Sequence, residues 1–203
     1  LALVKFKSLR KKFLISCLLW FIMSFVYYGM SFYLKKDGGD IFTNGYVIYT
    51  AEGISYLITG VIMSISFIGR VKTLSMMFMI TAISSILFYF ISESEPFYSK
   101  IPLFISRFSI TSIFSLMYTY STEIYPTSIR AKGLGLNAFS AKIASVIIPI
   151  TIELVSRPFI IFSAMTFFAF FFTFFLPETI NKELEDEIFE ERLSNKKISI
   201  STM

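Results

Sequence analysis

The chain has 203 residues, 55% of them hydrophobic, 18% aromatic and 16% charged, with a mean hydropathy of +0.68, a balance that a soluble domain of this size does not hold in water. Its formal charge of +5 does not point to nucleic acid, because the basic residues gather at the ends of apolar runs rather than on one soluble face. A single cysteine, Cys17, excludes an intramolecular disulfide, and with no histidine the common zinc, iron and nucleophile–histidine sets are missing, so no metal, cofactor or catalytic residue is expected.

Residues 1–12 form a basic segment containing Lys5, Lys7, Arg10, Lys11 and Lys12. An all-α membrane domain is expected over 13–176, because six apolar runs near the ~20 residues needed to cross a bilayer follow one another. They are 13–32, 46–68, 73–91, 101–122, 133–154 and 159–176. In the first, Trp20, Ser24, Tyr27 and Ser31 fall within roughly a 60° arc at helical spacing. The stretch KKDGGDIFTNG (35–45) then reads as a long, solvated outer connection.

In the second run Tyr49, Glu52, Tyr56, Thr59 and Ser66 share a face. The third is almost uniformly apolar and is expected to be a lipid-facing support. The fourth carries a stripe of Arg107, Thr111, Ser115, Tyr118 and Thr122. The fifth puts Gly135, Ala138, Lys142, Ser145 and Pro149 on one side, with Phe139, Ile143, Val146, Ile147 and Ile150 around the rest. Small residues on a shared face also suit tight helix packing, which covers Gly135 and Ala138 better than Lys142. The sixth offers only Ser163, Thr166 and Thr173 and is a second support. In the tail, 177–203, Leu184, Ile188 and Leu193 lie on one face of a short amphipathic helix outside the membrane.

Orientation follows from the basic residues. One side collects the N-terminal cluster, Arg70, Lys72, Arg130, Lys132, Lys182, Arg192, Lys196 and Lys197. The other has Lys35, Lys36, Lys100 and Arg157, diluted by Asp37, Asp40, Glu93, Glu95 and Glu153. Both termini are therefore expected in the cytoplasm, in a multi-pass protein of the plasma membrane or an organelle membrane.

Lys142 lies about 15 Å from either end of its run, near the bilayer centre. An ammonium there costs about 2.5–3.5 kcal/mol on insertion scales, so it is expected to face a wet cavity, where it meets substrate, or to face a carboxylate. Glu52 is the acid at comparable depth, and the two roles can alternate. The order lining, lining, support, repeated once, resembles the inverted three-helix repeats of secondary transporters, of which six spans make one half.

The junction YTYSTEIYPTSIRAKGLGLNAFSAKIASVIIP (118–149) resembles the corresponding junction in the C-terminal half of the organic ion transporters of the major facilitator superfamily, with Glu123, Ile124, Tyr125, Pro126, Thr127, Arg130, Gly133 and Gly135 at the characteristic places. SRFSIT (106–111) and LPETINKELEDEI (176–188) resemble two further boxes of that family, and the likeness runs from about residue 9 to 190. It implies one half of a major facilitator fold, an alternating-access transporter of small organic ions. Partners would be the lipid bilayer and a missing N-terminal six-helix half or a second copy, as suits a piece of a longer product.

The resemblance also implies a cytoplasmic gate of Arg70, Glu123, Arg130 and Glu178, although the family's second arginine after Arg70 is Val71 here. Glu123 and Arg130 flank Pro126 and can pair across the loop, or these are ordinary solvated rim charges. Lys142 falls where cation carriers have an acid and anion carriers an arginine. By charge complementarity it favours an organic anion, with Glu52, Ser145 and the aromatic rings of Trp20, Tyr27, Tyr28, Tyr49, Tyr56 and Tyr118 as further substrate contacts. Sugar porters share the closing box but rely on glutamines, and this chain has none. A truncated, non-transporting half that scaffolds or regulates a full-length relative is the alternative from another class. A channel would need charge rings or carbonyl filters, and an enzyme an acid, a base and a nucleophile in one cavity. Neither pattern occurs. Uniport, exchange and proton symport all fit, a proton step falling to Glu52 or a rim acid.

Overall fold

The computed structural model describes residues 7–36, 41–64, 69–95 and 97–179, all helix or short connection. We label the helices α1 (Lys7–Lys36), α2 (Ile41–Ser64), α3 (Arg70–Ser94), α4 (Lys100–Ile124), α5 (Thr127–Leu154) and α6 (Pro158–Thr173). Five are long and apolar enough to cross a membrane, and α6 is shorter. The expected tail helix, Ser66, and the basic residues of 1–6 and 180–203 lie outside the described residues.

Most helices outrun the apolar spans expected for them. The basic segment is already helical from Lys7, and α1 and α2 close the gap between them to residues 37–40. The connection is shorter than the long loop expected, because residues 35–36 and 41–45 of that stretch belong to the flanking helices. Proline sets three of the boundaries. Tyr125 precedes Pro126 and is extended (φ −102°, ψ 132°), which ends α4. Pro158 stands in the first turn of α6, where its missing N–H costs nothing. After Thr173 the chain tightens, with Phe174, Phe175 and Leu176 each donating to a carbonyl three residues back, before Pro177 stops it. Those turns add about 6 Å to the ~24 Å of α6, so the apolar run still reaches across.

The packing is symmetric under exchange of the first three helices with the last three. α1 packs on α5 and α6 as α4 packs on α2 and α3, while α1 meets α4 and α3 meets α6. This is the inverted repeat written as contacts. It puts α1 and α4 at the centre, with 56% and 61% of their apolar windows buried, and leaves α2 and α5 thinly covered at 22% and 28%. α3, expected to be a pure support, is half buried because α4 and α6 both lie against it.

Hydroxyls and small residues hold the seams, as expected where lipid supplies no hydrophobic drive between helices. Ser55 and Thr59 of α2 both meet Ser112 of α4 at 2.9 Å. Ser85 of α3 meets Ser106 of α4 at 2.9 Å. Ser163 of α6 donates to the Ala82 carbonyl of α3 at 2.8 Å. α1 closes on α6 at Gly29, where a Cβ would come within 2.5 Å of the buried Phe162 ring.

Gly29→Ala is therefore expected to lower the stability of the purified chain by about 1–3 kcal/mol, measured by thermal unfolding in detergent. Adding Phe162→Leu should recover part of the loss. Unchanged melting would show that α1 and α6 do not depend on this approach.

Candidate functional site

Two polar clusters occupy α1, α4 and their partners; the one nearer the α4–α5 connection is called inner and the one nearer the opposite end outer. The inner cluster centres on Asn137 of α5, fully buried. Its Nδ2 donates to Ser16 Oγ at 2.9 Å and more weakly to Ser121 Oγ at 3.4 Å. Its Oδ1 accepts from Cys17 Sγ at 3.2 Å and Tyr125 OH at 3.3 Å. Burial pushes the Tyr125 phenol up to about 12, so it stays a neutral donor at the loop. The Tyr125 ring lies against Gly133, where a Cβ would approach it to 2.8 Å. Gly133 is thus a packing position inside α5 rather than the helix start expected from sequence.

The outer cluster centres on Arg107, whose side chain is 3% exposed. Its Nη2 meets Glu52 Oε2 at 2.9 Å, and its Nη1 donates to the Tyr27 carbonyl at 2.8 Å and Ser31 Oγ at 3.1 Å. The guanidinium also lies over the Tyr27 ring, 3.9 Å from its centroid. Tyr27 OH donates to Glu52 Oε1 at 2.6 Å and Tyr56 OH to the same oxygen at 3.4 Å. Glu52 is thus held by a guanidinium and two phenols while 19% of its side chain stays exposed. From Tyr27 a row of rings runs along α1 and α4, Tyr27 to Phe114 to Tyr118 at 5.2 Å each, then Trp20 at 4.6 Å.

The structure brings some of the expected substrate residues together and separates others. Glu52, Tyr27 and Tyr56 touch, and Tyr118 continues their row. Tyr28 joins that row edge-on at 5.1 Å from Tyr27, while Tyr49 is exposed on α2. Trp20 stands behind, 1% exposed, with its N–H donating to Ser121 Oγ at 2.9 Å. Lys142 is exposed on α5, and no carboxylate among the described residues lies within ion-pair distance of it. Of the two partners weighed for Lys142, Glu52 is engaged elsewhere, because α2 packs on α4 and shares no packed interface with α5. Ser145 Oγ donates to the Lys142 carbonyl at 2.8 Å. Pro149 interrupts the helical bond to the Ser145 carbonyl, which leaves that oxygen without its usual donor.

At the end of the bundle where α4 gives way to α5, Arg70 and Glu123 pair at 3.3 Å, and Arg70 Nη1 also donates to the Met63 carbonyl. Arg130 does not reach Glu123. Its Nε donates instead to the Tyr125 carbonyl at 3.3 Å, because the turn at Pro126 keeps that carbonyl beside it. Glu178 binds backbone rather than an arginine side chain, accepting from Arg70 N at 2.6 Å and Val71 N at 3.1 Å. A carboxylate there satisfies open donors at the start of α3 and meets the positive end of its dipole. Gly69 makes room, since a Cβ would collide with that carboxylate. Thr179 Oγ1 closes the arrangement on Glu123 Oε2 at 2.5 Å.

No protein-family profile matches the chain. Among curated proteins, organic cation/carnitine transporter 2 of Mus musculus is 27% identical over 191 residues, covering 92% of this chain and 34% of that protein. The organic cation transporter protein of Drosophila melanogaster is 28% identical over 191 residues, with the same coverage. Organic anion transporter 3 of Mus musculus is 29% identical over 192 residues, covering 92% of this chain and 35% of that protein. The chain spans about a third of the length of the curated relatives it matches. These relatives are transporters rather than enzymes, and the chain is homologous to them across the segment where the motif resemblance lies. With its helices, this makes it a multi-pass, all-α membrane protein whose six helices form one 3+3 half of a major facilitator fold.

Removing either partner of the Arg107–Glu52 pair is expected to cost unequally. Glu52→Met strands a sealed guanidinium and should lower unfolding stability by about 3 kcal/mol. Arg107→Met leaves a carboxylate with two phenols and some water, and should cost clearly less. Chemical unfolding in detergent measures both, and the reverse order would contradict the geometry.

Proposed function

We propose, from this homology, that the chain supplies the C-terminal half of a transporter of small organic ions working by alternating access, with organic anions favoured over cations. The observation that carries the charge preference is the pairing of Glu52 inside the chain. With Arg107 and two phenols on it, Glu52 offers a cationic solute a compensated carboxylate. Lys142 has no such partner among the described residues. A mid-depth ammonium without a counter-charge attracts a carboxylate or sulfonate and repels cations. Tyr27, Tyr56 and Tyr118 give the apolar walls that such solutes need, and the free Ser145 carbonyl adds an acceptor one turn from Lys142.

The thin burial of α2 and α5 supports a working unit larger than this chain. Their uncovered faces are where a second six-helix bundle, the N-terminal half or another copy, would enclose the path. Arg70, Glu123, Glu178 and Thr179 tie the start of α3 to the end of α4 and the segment after α6. We assign this knot to the inward gate, closed when formed and opened when it parts, with both termini on its side of the membrane.

Uptake of labelled organic anions into vesicles tests the reading. The chain joined to an N-terminal six-helix half is expected to transport, and the chain alone is not. In the joined protein Lys142→Glu should lower anion uptake by at least about tenfold and admit organic cations, while Lys142→Arg keeps anion uptake. Unchanged selectivity in Lys142→Glu would assign Lys142 to structure. Silence of every joined form would favour a scaffolding or regulatory half.

A further inference from the structure

Two apolar grooves flank the outer turns of α4, away from both polar clusters. The one toward α2, walled by Tyr46, Val47 and Thr50, has a volume of about 470 Å³. The one toward α3, running from Ile80 to Ile91, has about 380 Å³. Tyr98, Ile101 and Ile105 line both and form the ridge between them. The serine and threonine hydroxyls in these walls are satisfied internally. Thr50 donates to the Tyr46 and Val47 carbonyls, and Ser84 to those of Ile80 and Thr81. An occupant therefore finds mostly hydrocarbon, with no Ser or Thr hydroxyl to spare and the phenols of Tyr46 and Tyr98 at the rim.

The top of the ridge is different. Lys100 opens α4 and lines the α2-side groove, with its ammonium 5.9 Å from the Phe97 ring centroid. Tyr46, Phe97 and Tyr98 around it are exposed, and aromatic rings beside a cation mark the headgroup level of a bilayer. The α3-side groove descends eleven residues, about 16 Å at helical rise, which is roughly one leaflet of a hydrocarbon core about 30 Å thick.

We propose that this ridge seats one glycerophospholipid, with an acyl chain in each groove and its phosphate on Lys100. Paired hydrocarbon grooves meeting under one ammonium match two chains joined at an anion. A water-soluble organic ion lacks the chains, and a diacylglycerol lacks the charge. The seat is independent of the transport reading, since it uses neither cluster.

Native mass spectrometry of the detergent-purified chain, offered phosphatidylglycerol and diacylglycerol of matched chain length, tests the seat. One phospholipid per chain should be retained in preference to diacylglycerol. Lys100→Ala should reduce its retention roughly fivefold, Lys100→Arg should keep it, and groove-filling Ile105→Trp should reduce it as well. Both altered residues are partly or fully exposed, so the fold survives the changes. Equal retention by the wild type, Lys100→Ala and Ile105→Trp would overturn the seat. Sensitivity to Lys100→Ala alone would also overturn it, because the grooves would then play no part.

Discussion

Arg107 is a guanidinium sealed among helices, and that single fact organises the half-bundle around it. A buried charge of this kind costs several kcal/mol unless an opposite charge and hydrogen-bond acceptors meet it. Here Glu52 supplies the charge from α2, and the Tyr27 carbonyl and Ser31 hydroxyl supply acceptors from α1. Three helices are thereby fixed to one another at the outer end of the bundle. α2, which buries little apolar surface, depends on this tie and on the Ser55–Thr59–Ser112 hydroxyls for its place. The consequence for chemistry is a redistribution of charge. Glu52 is spoken for, and Lys142 is left exposed on α5 with no carboxylate among the described residues beside it.

The symmetric packing gives this arrangement its mechanical sense. α1 and α4 form a buried pair, and each carries one thinly covered helix of the opposite triplet. At the inner end Asn137 binds α5 to α1 and α4 through Ser16, Cys17 and Ser121, as Arg107 binds α2 to α1 at the outer end. The two ties differ in kind. Asn137 has its polar atoms satisfied by neutral groups with no exposure, whereas Glu52 keeps 19% of its side chain exposed. At the rim the acid of the closing box grips two backbone N–H groups of α3 rather than an arginine, so parting it also frees a helix start.

Much of this was legible in the sequence. Hydrophobic run length located the six helices, and Pro126 marked the break between the fourth and the fifth. The polar stripes on α1 and α4 put Tyr27, Ser31 and Arg107 on inward faces. Depth along each helix does not reveal which helices are neighbours, so the sequence leaves Lys142 open between a wet cavity and Glu52, whereas the packing gives Glu52 to Arg107. In sequence Arg107 is one member of a polar stripe, with nothing to mark it as the partner of Glu52. Asn137 lies off the face defined by Gly135, Ala138 and Lys142, so a stripe drawn through Lys142 does not include it. The regular spacing of Gly133, Asn137, Ala141 and Ala144 held the signal, and all of them are buried. Glu123 and Arg130 are near in sequence, but the turn at Pro126 points them to different partners.

The central claim is that Glu52 is coupled to Arg107 and not to Lys142. A pair of double-mutant cycles on unfolding stability measures this directly, one for positions 52 and 107 and one for 52 and 142, each with methionine replacements. A coupling above about 1 kcal/mol for the first and near zero for the second is predicted. Coupling between 52 and 142, with none between 52 and 107, would contradict it and remove the ground for an uncompensated ammonium in the path.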